Sequence, residues 1–216
     1  MKIALLGATG RTGVPLLHQA LEHGHDVVAI VRNSSKLTTE HARLQVVEGD
    51  IFSEESLTSL FAGADAVLSC LGVAHTRKTT IYSDSGKAIV SAMRKAGVSR
   101  FVCITSWCTT YDRNDPGPWA WEWIYKPFII GKTLADMRVM EEFLLSSECN
   151  DIDYTIVRPP ELLKTSSQGK DILEEERLFV RGGKGGISRD DVAKFMLLTL
   201  TTERYNRKAI AIDSAK

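Results

Sequence analysis

Three evenly spaced glycines, Gly7, Gly10 and Gly13, punctuate the run Gly7-Ala8-Thr9-Gly10-Arg11-Thr12-Gly13. Glycine lets backbone turn tightly and approach a bulky anion closely. A helix opening on such a turn then offers free N–H groups and a positive dipole end to a phosphate. The flanks supply that context. Lys2-Ile3-Ala4-Leu5-Leu6 is an apolar run short enough for a buried strand, and Val14 to His23 is amphipathic, with Leu16, Leu17, Ala20 and Leu21 apolar. Strand, glycine turn and helix in that order suit the pyrophosphate of a dinucleotide. The spacing is GxxGxxG, which displaces the middle glycine of the commoner GxGxxG by one residue. A turn with no ligand is the plainer alternative.

Further candidates follow later apolar runs. Arg32 comes after Asp26 to Val31 and is followed by Ser34, Ser35 and Lys36, with no acid before Glu40. An NAD-selective site places Asp or Glu there to accept from the ribose 2′-hydroxyl. A guanidinium instead matches a 2′-phosphate and stacks on adenine, so Arg32 predicts NADP(H) over NAD(H). The alternative is a solvated surface arginine. Asp50, with Ile51 beside it, either accepts from the adenine amino group or closes a turn. At Leu71-Gly72 backbone can pass close to ribose and pyrophosphate. Ser106 either hydrogen-bonds a substrate carbonyl or flavin-type heteroatom, or caps backbone at a strand end. Trp107 either stacks on a planar substrate or packs internally. Glu161, after Pro159-Pro160, is the best-placed late ionisable group. The five histidines, at 18, 23, 25, 41 and 75, avoid the later strand ends. A histidine acid, a metal cluster, a Ser-His-Asp set and a P-loop lysine all lack support.

The elements that must position these residues form a regular series. After the first helix, strands are expected over Asp26–Val31, Leu44–Glu48, Ala64–Leu71 and Arg100–Thr105. Helices are expected from Ser53 to Phe61 and from Thr80 to Ala96, the second stopped by Gly97. Trp119, Trp121 and Trp123 alternate, as a strand or as a flap over a pocket. A helix is then expected over Ala135–Ser147 and a sixth strand over Tyr154–Arg158, halted by the prolines. Ser166 to Lys170 reads as a loop and Arg177–Arg181 as a strand. A last helix begins at Ser188 with Asp190 and Asp191 in its first turn, before a short strand over Lys208–Ile212. Strands alternating with helices predict an α/β, doubly wound, Rossmann-type parallel sheet in a single domain over residues 1–216. Its substrate-side segments would lie at about 107–132 and 160–186. In such sheets ligands lie beyond the carboxyl ends of the strands, where all the candidates fall.

Composition narrows the function classes. The 216 residues are 44% hydrophobic and 25% charged, and the formal net charge is zero. Nothing there invites nucleic acid, and no apolar run is long enough for a membrane span. Cys70, Cys103, Cys108 and Cys149 show no metal-ligand spacing and read as reduced thiols, which fits a cytoplasmic protein.

The residues taken together resemble the atypical short-chain dehydrogenase/reductase superfamily, NAD(P)-binding and NmrA-like, whose GATGxTG turn matches Gly7 to Gly13. Within it the chain is similar to the biliverdin reductase B, or flavin reductase (NADPH), group. That likeness runs through Val31 to Leu37, Gly49-Asp50-Ile51, Leu71-Gly72, Thr105-Ser106, Pro159-Pro160 and Ile187-Ser188. The resemblance implies NADPH binding and direct hydride transfer to a flavin or a linear tetrapyrrole. It implies a phosphate-binding role for Arg32, Ser35 and Lys36, and a substrate-facing hydroxyl at Ser106. The cofactor set is then Gly7, Thr9, Gly10, Arg11, Thr12, Gly13, Arg32, Ser35, Lys36, Asp50, Ile51, Leu71, Gly72, Thr105 and Pro159. Ser106 is the candidate catalytic group, Trp107 and Glu161 face substrate, and no metal is expected. The partner is a small planar substrate such as a flavin, a biliverdin-type tetrapyrrole or a quinone, and the chain is a monomer or weak homodimer. Two departures stand out. The group's Pro-Pro-His reads Pro159-Pro160-Glu161, and no tyrosine has a lysine four residues on, as ordinary short-chain dehydrogenases do. The alternative reading is an NmrA-like redox sensor that holds NADP(H) without robust catalysis.

Overall fold

The computed structural model describes residues 1–73, 77–110, 123–124 and 131–216. Trp119 and Trp121, and most of the segment expected to vary at 107–132, lie outside the described residues. The strands are β1 (Lys2–Leu6), β2 (Asp26–Val31), β3 (Leu44–Glu48), β4 (Ala66–Ser69), β5 (Arg100–Ile104), β6 (Asp153–Arg158), β7 (Glu161–Leu163), β8 (Ile172–Glu175), β9 (Gly186–Ser188) and β10 (Lys208–Ser214). The helices are α1 (Gly13–Glu22), α2 (Glu54–Phe61), α3 (Ile81–Ala96), α4 (Gly131–Leu145) and α5 (Arg189–Leu198).

Alternation along the strands divides the core into two layers. Ile3 and Leu5 of β1 pack with α1 and α5, and Ala4 and Leu6 pack with α2, α3 and α4. Both faces are covered, which is why the central strands read as unbroken apolar runs. The main sheet has the order β3-β2-β1-β4-β5-β6-β10-β8, and only β8, against β10, pairs antiparallel. The chain reverses direction between β1 and β4, so the switch point lies beside the glycine turn.

Local chemistry accounts for most boundaries. Ser53 accepts from the Ser56 N–H and caps α2, with Glu54 and Glu55 in its first turn. Gly97 ends α3 at φ 73°, where a side chain would be strained. The start of α3 is capped from a distance. The Thr80 side chain makes no capping bond, and Asp136 of α4 accepts from Tyr82 N (2.9 Å) and Ser83 N (3.3 Å).

Two expectations require correction, and three short strands were not anticipated. Arg177–Arg181 is no strand. Its carbonyls are taken by Cys108 N at Leu178 (3.0 Å) and by the Arg158 guanidinium at Arg177 (3.3 Å), and Phe179 and Val180 pack on Trp107. The edge strand is Ile172–Glu175 instead, paired with β10. The three-residue strands β7 and β9, which pair with one another, are too short for any periodicity to register. The helix expected from Ala135 begins at Gly131 and ends at Leu145.

Candidate functional site

The glycine turn is a cradle that side chains would fill. A Cβ on Gly13 would lie 2.0 Å from the Gly7 carbonyl oxygen, and one on Gly7, at φ 80°, would lie 2.7 Å from the Cys70 carbonyl. Gly10 N donates to Gly7 O (2.8 Å) and Val14 N to Gly10 O (2.9 Å), which closes the turn onto α1. The first turn of α1 has no acidic residue and its N-cap, Thr12, makes no side-chain capping bond. Val14 N and Leu16 N are taken by Gly10 O and Thr12 O and Pro15 has no N–H, so the Gly13 N–H and the dipole end are what this turn leaves for an anion, and the cradle fits the diphosphate of a dinucleotide. Thr9 and Arg11 are exposed at its rim, while Thr12 and Gly13 are buried.

At the end of β2, Arg32, Ser35 and Lys36 are exposed, and neither cation makes an ion pair among the described residues. Two side chains build the turn that carries them. Asn33 Oδ1 accepts from Ser35 N (3.0 Å) and Ser35 Oγ (2.6 Å). Glu48 Oε1 accepts from Ser34 N (2.8 Å) and Ser34 Oγ (2.9 Å). The Ser34 N–H, and then its hydroxyl, hold the Glu48 carboxyl below its ordinary range. Sequence reasoning missed this acid because it lies on the neighbouring strand, where the parallel register sets Glu48 opposite Val31. Asp50 realises its turn reading, accepting from Phe52 N (3.0 Å). Ile51 is buried beneath it. Leu71 is half-buried and Gly72 exposed, and a Cβ on Gly72 would come within 3.2 Å of Tyr82 Oη. Burial pushes the Tyr82 phenol up to about 12.

The ends of β5 and β6 behave differently. Thr105 N donates to Val157 O (2.9 Å) and Trp107 N to Pro159 O (3.0 Å), so the two chains stay paired past their strands. The Thr105 hydroxyl donates to Glu141 Oε1 and the Thr109 hydroxyl to Glu141 Oε2, both at 2.6 Å. Arg158 donates to the same carboxylate from Nε (3.1 Å) and Nη2 (2.6 Å). Both members of this ion pair are buried. Neither was anticipated, although a charge on an apolar helix face beside Met137, Met140 and Leu144 was the available signal. The stacking role expected of Trp107 is overturned by packing. The residue is 4% exposed, its indole N–H donates to Ile212 O (3.2 Å), and its ring meets Phe179 edge-on at 6.0 Å. A large ring with one satisfied N–H is more stable inside than in water. The Thr105 hydroxyl is likewise spent, and Pro159 is buried. Between Thr105 and Thr109 only Ser106 leaves the core, and its hydroxyl makes no hydrogen bond among the described residues. Glu161 is exposed on β7.

Other chemistry is thin. Burial pushes the Cys70 thiol up to about 12 and raises Cys103 and Cys149 as well, so these sulfurs stay protonated. Among the described residues no cluster of His, Cys, Asp and Glu could hold a metal, and no helix is long and apolar enough to cross a membrane.

A doubly wound sheet with a glycine cradle at its switch point defines a Rossmann-type NAD(P)-binding protein. The chain belongs to the NAD(P)H-binding family, whose model matches residues 7–203. Its GATGxTG turn fits the atypical short-chain dehydrogenase/reductase, NmrA-like group within that class. Among its relatives is an uncharacterized sugar epimerase of Bacillus subtilis, YhfK, 26% identical over 97% of this chain and 92% of the relative. A short-chain dehydrogenase/reductase of Veillonella parvula, solved in complex with NADP, superposes with a TM-score of 0.78 at 19% identity, over 99% of this chain and 94% of that one. A candidate NADH-flavin reductase of Streptococcus pneumoniae does so with a TM-score of 0.75 at 23% identity, over 99% of both chains. These two likenesses establish the fold.

Proposed function

We propose that the chain is an NADPH-dependent reductase that passes hydride to a planar conjugated acceptor, with a flavin as the first substrate to test. The observation that carries this reading is the division of the sheet edge. The cations Arg11, Arg32 and Lys36 stand exposed and without ion pairs among the described residues over β1 and β2, and one available hydroxyl, Ser106, stands over β5. Gly7 to Gly13 would take the diphosphate, and Arg32 with Ser35 and Lys36 the 2′-phosphate. Asp50 and Ile51 would border the adenine, and Leu71-Gly72 the ribose. When bound, the reduced nicotinamide supplies the hydride. Ser106 would donate a hydrogen bond to the acceptor and fix its orientation, and Glu161 would border its outer edge. A flavin accepts hydride without a strong protein acid, whereas a biliverdin-type tetrapyrrole needs a proton delivered to a pyrrole. Flavin turnover should therefore exceed tetrapyrrole turnover. The same reading takes the chain as a cytoplasmic monomer or weak homodimer.

Following NADPH absorbance against flavins, quinones and biliverdin tests the proposal. Equal dissociation constants for NADH and NADPH would remove the 2′-phosphate part. Tight NADPH binding with no turnover of any acceptor would favour the second reading, an NmrA-like sensor of NADP(H). The paired-off Thr105, Thr109 and Glu141 beneath the acceptor side are the observation in its favour.

A further inference from the structure

Among the described residues, one buried side-chain nitrogen or oxygen lacks a hydrogen-bond partner: Nε of Arg189, the first residue of α5. A buried, unpaired guanidinium N–H is costly enough to need an explanation. The rest of the side chain is anchored, because Nη1 donates to the Leu163 carbonyl at the end of β7. Two carboxylates follow directly in sequence, and neither pairs with it. Asp190 Oδ2 accepts from Ser167 N (3.0 Å), and Asp191 accepts from the hydroxyls of Ser167 (2.6 Å) and Ser188 (2.7 Å). Burial, and then the positive charge of Arg11, hold the Arg189 guanidinium below its ordinary range. Arg11 sits in the glycine turn, and it too makes no ion pair among the described residues. The packing that brings the two together is that of α1 on α5, tied by Gln19 Nε2 donating to Asp190 O (3.0 Å).

A guanidinium with a buried, orphaned N–H, on a helix packed against the one that the glycine turn opens, is suited to an anion held at that turn. We propose that Arg189 and Arg11 form a clamp on the diphosphate bridge of the bound dinucleotide, from the side opposite the backbone N–H groups of the glycine turn. The proposal rests on the NAD(P)H-binding site already described. It assigns to the start of α5, far along the chain, a direct cofactor contact. The 2′-phosphate, held at the end of β2, would be indifferent to Arg189.

Two ligand fragments separate the possibilities. ADP-ribose carries the diphosphate bridge without a 2′-phosphate, and adenosine 2′-monophosphate carries the 2′-phosphate with no phosphate on its 5′-oxygen. Titration calorimetry of Arg189→Met should show ADP-ribose binding weakened by about 10- to 100-fold, as expected for lost charge-assisted hydrogen bonds. Binding of the 2′-monophosphate should be unchanged, and Arg189→Lys should fall between. Unchanged ADP-ribose affinity, or equal losses toward both fragments, would overturn the clamp. A measurement on the wild-type protein keeps the question open to refutation if the methionine variant does not fold. The Arg189 Nε–H resonance, assigned in nitrogen-15 spectra by its absence from Arg189→Lys, should shift on adding ADP-ribose and not on adding the 2′-monophosphate. A resonance unmoved at ADP-ribose saturation overturns the proposal. Failure of the wild-type protein to bind either fragment or NADPH would overturn the cofactor site itself, and the clamp with it.

Discussion

The helices α1 and α5 begin on the same face of one sheet, yet their first turns are built by opposite rules. α1 opens on Thr12 and Gly13 with no side-chain cap and no acid. α5 opens on Ser188, whose hydroxyl accepts from Asp191 N, with Asp190 and Asp191 in its first turn. The second arrangement caps its own donors and neutralises its own dipole; the first leaves its dipole end for something else. The same contrast runs along the sheet edge. Over β1 and β2 the cations Arg11, Arg32 and Lys36 are exposed and make no ion pair among the described residues, while over β5 and β6 the Thr105–Thr109–Glu141–Arg158 network is closed on itself. Binding capacity is visible here as what the fold declines to pair. Arg189 is the exception on the self-satisfied helix, and for that reason it carries the inference above.

Experiments can strain this contrast from both sides. The largest effect is expected where the network is most closed. Glu141→Ala leaves the Arg158 guanidinium buried without its partner and should cost about 3–5 kcal/mol of stability in urea denaturation. A cost under about 1 kcal/mol would mean that the pair is solvated in practice. On the open side, Gly13→Ala forces a methyl onto the Gly7 carbonyl. It should cost about 1–3 kcal/mol of stability and remove measurable NADPH binding in fluorescence titration. Retained binding would show that the cradle is not where the cofactor lies.

Arg32→Ala should weaken NADPH by about 10- to 100-fold while leaving NADH nearly unchanged. Equal losses for the two cofactors would place Arg32 outside the 2′-phosphate site. Ser188→Ala removes a cap and should lower stability by about 1 kcal/mol, read as a melting shift. The smallest effect concerns Glu48, whose folded-state pKa is depressed by Ser34. Its contribution is therefore complete above the unfolded value of about 4.3 and is lost as pH falls through the depressed folded value. Melting curves of the wild type and Glu48→Gln should converge on acidification. A gap that persists unchanged into the acid range would show that the Ser34 turn does not depend on the charge.

Much of this was readable one residue at a time. Ser53, Gly97 and Ser188 punctuate helices through contacts within a few residues of themselves, and such signals survive without a fold. The strands β1, β2, β4, β5 and β6 announced themselves as apolar runs because both faces are covered. Arg177–Arg181 misled because a short apolar run, Leu178-Phe179-Val180, also suits an irregular segment packed on a tryptophan. The register of β2 on β3 was needed to bring Glu48 to Ser34, and the fold was needed to turn Trp107 inward.

By itself the sequence determined the strand–turn–helix opening, the order of elements and the cationic residues after β2, since each depends on neighbours along the chain. Only the tertiary structure decided which polar groups are spent. Glu141 was drawn to Arg158, Asp136 to the start of α3, and Arg189 to the side of Arg11, each across tens of residues. Whether a side chain is available for chemistry depends on every partner the fold brings within hydrogen-bonding reach, and those partners are set by packing in three dimensions.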